Sequence, residues 1–174
     1  MQSANVYSRF YGYGWFLLIA VCFIQLLAIY PYQLDDSYIT YRYAQNVLDE
    51  GIFSFNKGEA NVEGFSSPIW LFFSVLTGLF FGRENIHLTG ILWGNLSYLL
   101  LVSFPLFSNA TRYQRYFSSC LLALTPTLLL YAGTGLETVL FAALIGIFAY
   151  ALTNKLSMGW GIVAVMLAPW VRPE

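Results

Sequence analysis

Two adjacent carboxylates, Asp35 and Asp36, stand shortly after the first apolar block of the sequence. Charged groups so close to a hydrocarbon layer are energetically costly, which makes them candidates for function. The pair suits three roles: a general base for an attacking hydroxyl, a ligand of a divalent cation, or the N-terminal cap of a helix. The residues alone leave the two functional roles and the structural one open.

Three other ionisable side chains could act with this pair. Glu137 lies in a tight turn between two apolar blocks, where a lone acid is more often solvated or interacts with a helix dipole. Arg172 follows an apolar run, so it either extends to lipid headgroups or binds a substrate phosphate. Arg42 could pair with the nearby acids.

The composition indicates which elements must position these residues. Hydrophobic residues make up 58% of the 174 positions and charged residues only 10%, against roughly 25% charged in an ordinary soluble domain. We therefore predict an integral membrane protein of the all-α class. The net charge of −1 provides no basic face for a phosphate backbone, so nucleic acid is not an expected partner.

The apolar residues are grouped into blocks that predict a polytopic bundle of transmembrane helices. Block 67–82 is short, because a span needs about 20 residues. The basic cluster of Arg112 and Arg115 should be cytoplasmic. When the spans are counted from a cytoplasmic N-terminus, this holds only if block 67–82 is a re-entrant or interfacial helix. About five spans result, from the blocks 14–31, 88–107, 117–132, 138–152 and a last one that begins near Met158.

This topology has a consequence for the candidate residues. It leaves residues 32–87 as the first outer loop, and it places five ionisable residues on the same outer side, near the ends of spans. Such groups can converge on one polar cavity. The five are Asp35, Asp36, Glu63, Glu137 and Arg172.

The outer loop is expected to contain a second helix. Asp36 is placed to cap a helix from Ser37 to about Asp49, and Gly51 would end it. Its tyrosine-rich face predicts that it lies along the membrane surface, because tyrosine rings prefer the headgroup level. The stretch 53–59 reads as a turn.

Several runs of residues together resemble a known family. They are Asp35 to Ala44, Gly51 to Asn56 with Gly58-Glu59, Glu63 to Ser67 ahead of Trp70, Gly135 to Thr138, and Arg172-Pro173-Glu174. In this order they resemble the GT-C superfamily of polyprenyl-phosphate-sugar-dependent glycosyltransferases. The nearest likeness is to the mycobacterial terminal arabinofuranosyltransferase group.

The resemblance implies an inverting enzyme that transfers a sugar from a polyprenyl-phosphate donor to a glycan, lipid or protein acceptor. Asp35 or Asp36 would be the general base, Glu137 a second acid, and Arg172 a partner of the departing phosphate. Arg42 and Glu63 would bind substrate. Some relatives place a divalent cation, Mg²⁺ or Mn²⁺, at the acidic pair and others use none.

The resemblance also implies a location and a larger protein. The site would face the periplasm or exterior from a bacterial inner membrane. Members of the superfamily carry further spans, so residues 1–174 are expected to form the N-terminal part of a GT-C-type transmembrane domain. Two other functions remain open: a transporter or flippase, for which acids in the membrane are also typical, and a truncated, non-catalytic membrane scaffold.

Overall fold

The computed structural model describes residues 20, 23–24, 27, 32–58, 61–62, 64–153 and 157–173. All regular elements in these ranges are helices, which confirms the predicted all-α class. The predicted span 14–31 lies almost entirely outside the described residues. In chain order the helices are α1 (Asp35–Glu50), α2 (Pro68–Phe81), a 3₁₀ turn (Arg83–Asn85), a π-helical segment (Gly90–Gly94), α3 (Asn95–Phe107), α4 (Arg112–Ala123), α5 (Pro126–Gly133), α6 (Thr138–Thr153) and α7 (Met158–Val171).

One described helix is long and apolar enough to cross a membrane. It is the continuous segment Gly90–Phe107, formed by the π-helical segment and α3, and it coincides with the predicted block 88–107. Helices α4 and α5 qualify as a second span only if they are counted together across a bend of 57°. Because α2, α6 and α7 are apolar but shorter than the usual span, the count of five spans stays a prediction.

Block 117–132, predicted as one span, is broken between α4 and α5. Pro126 occupies the first position of α5, and Thr125 before it has an extended backbone. A proline lacks the N–H that would continue the helix, and its ring disfavours helical geometry in the preceding residue. The carbonyl of Ala123 instead accepts a hydrogen bond from the Tyr98 hydroxyl of α3, at 2.7 Å.

Helix α1 begins earlier than predicted, and Asp36 is not its cap. The N-cap is Leu34, which makes no side-chain cap, and both aspartates lie in the first turn. There a carboxylate is favoured by the helix dipole without being tied to a backbone N–H as a cap. The predicted end is correct, since Gly51 has a φ of 71° and its N–H donates to Val47 O.

The apolar face of α1 packs against protein. Tyr41 and Ala44 are buried together with Leu71 of α2 and Ile86, whereas Tyr38 is 53% exposed. Tyr41 and Ala44 of the predicted tyrosine face therefore pack against α2 and Ile86, and Tyr38 does not share their burial. The placement of α1 along a membrane surface stays a prediction.

The loop after α1 is held against that helix by polar contacts. Asn46 donates its amide to Ser54 O at 2.8 Å and to Phe55 O at 2.9 Å. Lys57 and Arg83 both form ion pairs with Asp49. The hydrogen bond from Lys57 is the main cause that lowers the pKa of the Asp49 carboxyl below its usual value. The described part of the predicted turn 53–59 is thus anchored to α1 by hydrogen bonds and an ion pair.

Candidate active site

Three of the candidate residues line one cavity of about 280 Å³. Asp36 comes from the first turn of α1, Glu137 from the residues between α5 and α6, and Arg172 from the end of α7. The sequence predicted that these side chains can converge, and the fold brings them together. The remaining lining residues are Ile39, Thr40, Gly64, Phe65, Ser66, Leu136 and Thr138.

Residues 134–137, which we call the acidic turn, are held from two sides. The backbone N–H of Leu34, just before α1, donates to Thr134 O at 3.0 Å. The indole N–H of Trp70, in the first turn of α2, donates to Gly135 O at 2.7 Å. The turn that carries Glu137 is thereby joined to the helix that carries Asp36 and to α2.

The π-helical segment also packs closely against the backbone of the acidic turn and of the end of α5. A Cβ atom on Gly90 would lie 2.6 Å from Gly135 Cα, and one on Gly94 would overlap Ala132 O. Only glycine permits these approaches, so Gly90 and Gly94, four residues apart on the π-helical segment, let the end of α5 come close. Gly135 itself has a φ of 93°, a left-handed conformation that favours glycine.

Arg172 and Glu137 are both partly buried at the cavity. The Arg172 guanidinium donates from Nη1 to Thr138 Oγ1 at 3.3 Å, which ties it to the first residue of α6. Glu137 directly precedes α6, and its carbonyl accepts from Phe141 N at 3.0 Å. The positive end of the α6 dipole therefore faces the same region as the Glu137 carboxylate. A cation and two carboxylates share one small cavity.

Other candidate residues are not brought to this cavity. Asp35 and Asp36 are both exposed, but only Asp36 is among the lining residues. Arg42 donates from Nε to Phe55 O at 3.2 Å, so it contacts the loop after α1. Glu63 lies outside the described residues. Among the residues that are described, no three His, Cys, Asp or Glu side chains form a group that could hold a metal ion.

Tyr41 supports the site in a way that the sequence did not indicate. It is 3% exposed, and its hydroxyl donates to Gln33 Oε1 at 3.3 Å beside the acidic turn. Burial raises the pKa of Tyr41 well above its usual value, so the phenol keeps its proton. The sequence interpretation had assigned this ring to the membrane surface. The participation of Trp70 was also missed, because its partner lies far away in the chain.

An apolar groove of about 900 Å³ adjoins the cavity. The two share Phe65 and Ser66, and Trp170 and Pro173 bring the groove to the end of α7 beside Arg172. A polar cavity that holds one cation and two carboxylates thus adjoins an apolar groove. The rest of the groove lining is Phe53, Asn61, Val62, Pro68 and Pro169.

Comparisons with known protein families, with curated proteins and with solved structures find no match for this chain. The functional interpretation therefore rests on the cavity and on the sequence motifs.

Proposed function

We propose that this chain is part of an integral membrane glycosyltransferase of the GT-C type. It transfers a sugar from a polyprenyl-phosphate donor to a glycan, lipid or protein acceptor of the cell envelope, with inversion. The observation that carries the proposal is the convergence of Asp36, Glu137 and Arg172 on one cavity beside an apolar groove. These are the acids and the arginine of the sequence motifs that resemble the superfamily.

Asp36 is assigned as the general base, because it lines the cavity and Asp35 does not. Its carboxylate accepts the proton of the acceptor hydroxyl while that oxygen attacks the anomeric carbon of the sugar. The bond between the anomeric carbon and the phosphate oxygen breaks on the opposite face. The polyprenyl phosphate leaves, and the configuration at the anomeric carbon inverts.

Arg172 compensates the charge that develops on the leaving phosphate. A cation whose position is fixed before the reaction stabilises such charge without reorganising during it. The apolar groove takes the first part of the polyprenyl chain, and Glu137 binds sugar or acceptor hydroxyls. If a divalent cation, Mg²⁺ or Mn²⁺, takes part, Glu137 is the cavity carboxylate that would bind it, since Asp36 serves as the base, and the cation would help to neutralise the leaving phosphate.

The proposed setting is a bacterial inner membrane, with the cavity on the outer face. About five spans would cross the membrane, and α2 would be a re-entrant or interfacial helix. Two features support this arrangement: α2 is an apolar helix of only 14 residues, and all residues around the cavity come from segments that the predicted topology puts on the same side of the membrane.

The proposal is tested by sugar transfer in membranes that contain the full-length protein. Radiolabelled polyprenyl-phosphate sugars are supplied, and Asp36→Asn is compared with Asp35→Asn at equal expression. The two variants make the same isosteric change one residue apart. Loss of the general base should lower transfer by about 100-fold or more in Asp36→Asn, and Asp35→Asn should stay within about threefold of wild type. Unchanged transfer in Asp36→Asn would contradict the proposal and favour a scaffold.

A further inference from the structure

We propose that Trp70 is a positioning residue, whose indole N–H holds the acidic turn so that Glu137 faces Asp36 across the cavity. This inference rests on the proposed function. It assigns a role to a residue that is not itself among the residues lining the cavity.

The indole of Trp70 is rigidly placed. Trp70 is fully buried, with 0% of its surface exposed, in the first turn of α2. The backbone N–H of Trp70 donates to the capping Ser67 Oγ at 3.2 Å, and Pro68 starts the helix. A proline at the first helical position and a serine cap both fix where a helix begins. The indole N–H therefore points from a well-defined helix end towards Gly135 O, 2.7 Å away.

The contact lies where it can control the cavity. Gly135 O is two residues before Glu137, and Ser66, four residues before Trp70, lines the cavity itself. When a buried donor is removed, the carbonyl that it served loses its partner and the segment gains freedom. The bond from Leu34 N–H to Thr134 O remains, so the turn should loosen locally without unfolding the protein.

The chain offers a matched control in Trp93. Its indole N–H also donates to one acceptor, Thr77 Oγ1 at 3.1 Å, and its ring stacks on Phe73 with centroids 4.4 Å apart. Trp93 does not line the cavity. A Trp→Phe change at either position removes one indole hydrogen bond and leaves an aromatic ring. Only the change at position 70 removes a hydrogen bond to the acidic turn.

The first measurement separates kcat from KM in the full-length protein. Trp70→Phe should lower kcat for sugar transfer by about tenfold, because Glu137 is no longer held in place. The KM for the polyprenyl-phosphate sugar should stay within about twofold, because Trp70 lines neither the cavity at Arg172 nor the apolar groove, which supply the proposed contacts to the phosphate and the polyprenyl chain. Trp93→Phe should leave both constants within about twofold of wild type. An equal loss of kcat in both variants would overturn the positioning role.

The second measurement does not depend on catalysis. Leu136→Cys is introduced into a chain that carries Cys22→Ala and Cys120→Ala, and its reaction with a thiol reagent is timed. Adding Trp70→Phe should speed labelling by about threefold or more, since the turn opens more often, and adding Trp93→Phe should not. Equal labelling in all three proteins would overturn the proposal. This arm remains informative if Asp36→Asn keeps full transfer, so failure of the proposed function and of this inference can be told apart.

Discussion

The backbone N–H of Leu34 donates to the carbonyl oxygen of Thr134 at 3.0 Å, and this bond joins two segments that are distant in the sequence. Asp36 follows Leu34 by two residues, and Glu137 follows Thr134 by three. The relative position of the two acids is therefore set by backbone contacts, which do not depend on the acids themselves. Changes to the backbone packing of the acidic turn should act on stability and geometry together.

The close packing of Gly135 leads to the first prediction. A Cβ atom there would lie 2.7 Å from Ser37 Cβ and 2.8 Å from Gln33 Oε1, at a φ of 93°. Gly135→Ala should lower the free energy of unfolding by about 2 to 4 kcal/mol, from overpacking and backbone strain combined. The measurement is thermal or denaturant unfolding of the purified protein in detergent.

Gly51→Ala is the matched control for that change. Gly51 also has a positive φ, 71°, but a Cβ there would meet nothing within 4 Å. Its substitution should cost only about 1 kcal/mol, the penalty of the left-handed backbone alone. Equal losses at both positions would mean that the acidic turn is not tightly packed.

The second prediction concerns the charge of Arg172. Replacing it with Gln removes the cation, which donates to Thr138 Oγ1 at 3.3 Å, and keeps a shorter polar side chain. Because a hydrogen bond between charged groups contributes about 1.5 to 3 kcal/mol, kcat/KM for the donor should fall by about 10- to 100-fold in Arg172→Gln. Arg172→Lys keeps the charge and should lose less. Initial rates at several donor concentrations test this, and an unchanged kcat/KM in Arg172→Gln would rule out a phosphate contact.

Much of the helical framework could be predicted from the sequence, because apolar blocks and glycine stops are local signals. The helix end at Gly51 and the segment 88–107 were correct for this reason. The start of α1 was not, since Asp36 is a favoured cap by type, but the backbone places Leu34 in that role. The break at Pro126 was missed because the residues on both sides of it are apolar, so that 117–132 was taken as one block.

The site was predictable only through topology. The predicted alternation of spans puts Asp36, Glu137 and Arg172 on one side of a membrane, and the fold brings them to one cavity. The residues that hold the acidic turn beside that cavity could not be recognised from the sequence pattern. Trp70 reads as one aromatic residue among many in an apolar helix, and its partner Gly135 is identified only when the two segments are in contact.

The third prediction tests the orientation of the chain. Asn56 lies in the loop after α1 and Asn109 lies between α3 and α4; both are exposed, and the proposed topology puts them on opposite faces of the membrane. In a cysteine-free protein, Asn56→Cys should react with a membrane-impermeant thiol reagent in spheroplasts, and Asn109→Cys should react only after permeabilisation. Labelling of Asn109→Cys in intact spheroplasts would contradict the topology.

The last prediction concerns the break between α4 and α5. In a continuous helix the carbonyl of Ala123 would accept from an N–H four residues later, and the break at Pro126 removes that geometry. The Tyr98 hydroxyl donates to the Ala123 carbonyl instead, at 2.7 Å, and Tyr98 and Ala123 are both buried. Away from water an unpaired carbonyl is costly, so Tyr98→Phe should lower the free energy of unfolding by about 1 to 3 kcal/mol.

Tyr113→Phe provides the comparison, because Tyr113 is 78% exposed and its ring stacks on Phe117. The same loss of one hydroxyl should there change stability by less than about 0.5 kcal/mol, as is usual for an exposed position. Unfolding of both variants in the same detergent decides the matter. A small loss in Tyr98→Phe would mean that water or another donor reaches the Ala123 carbonyl, and that the broken helix does not depend on α3 for its stability.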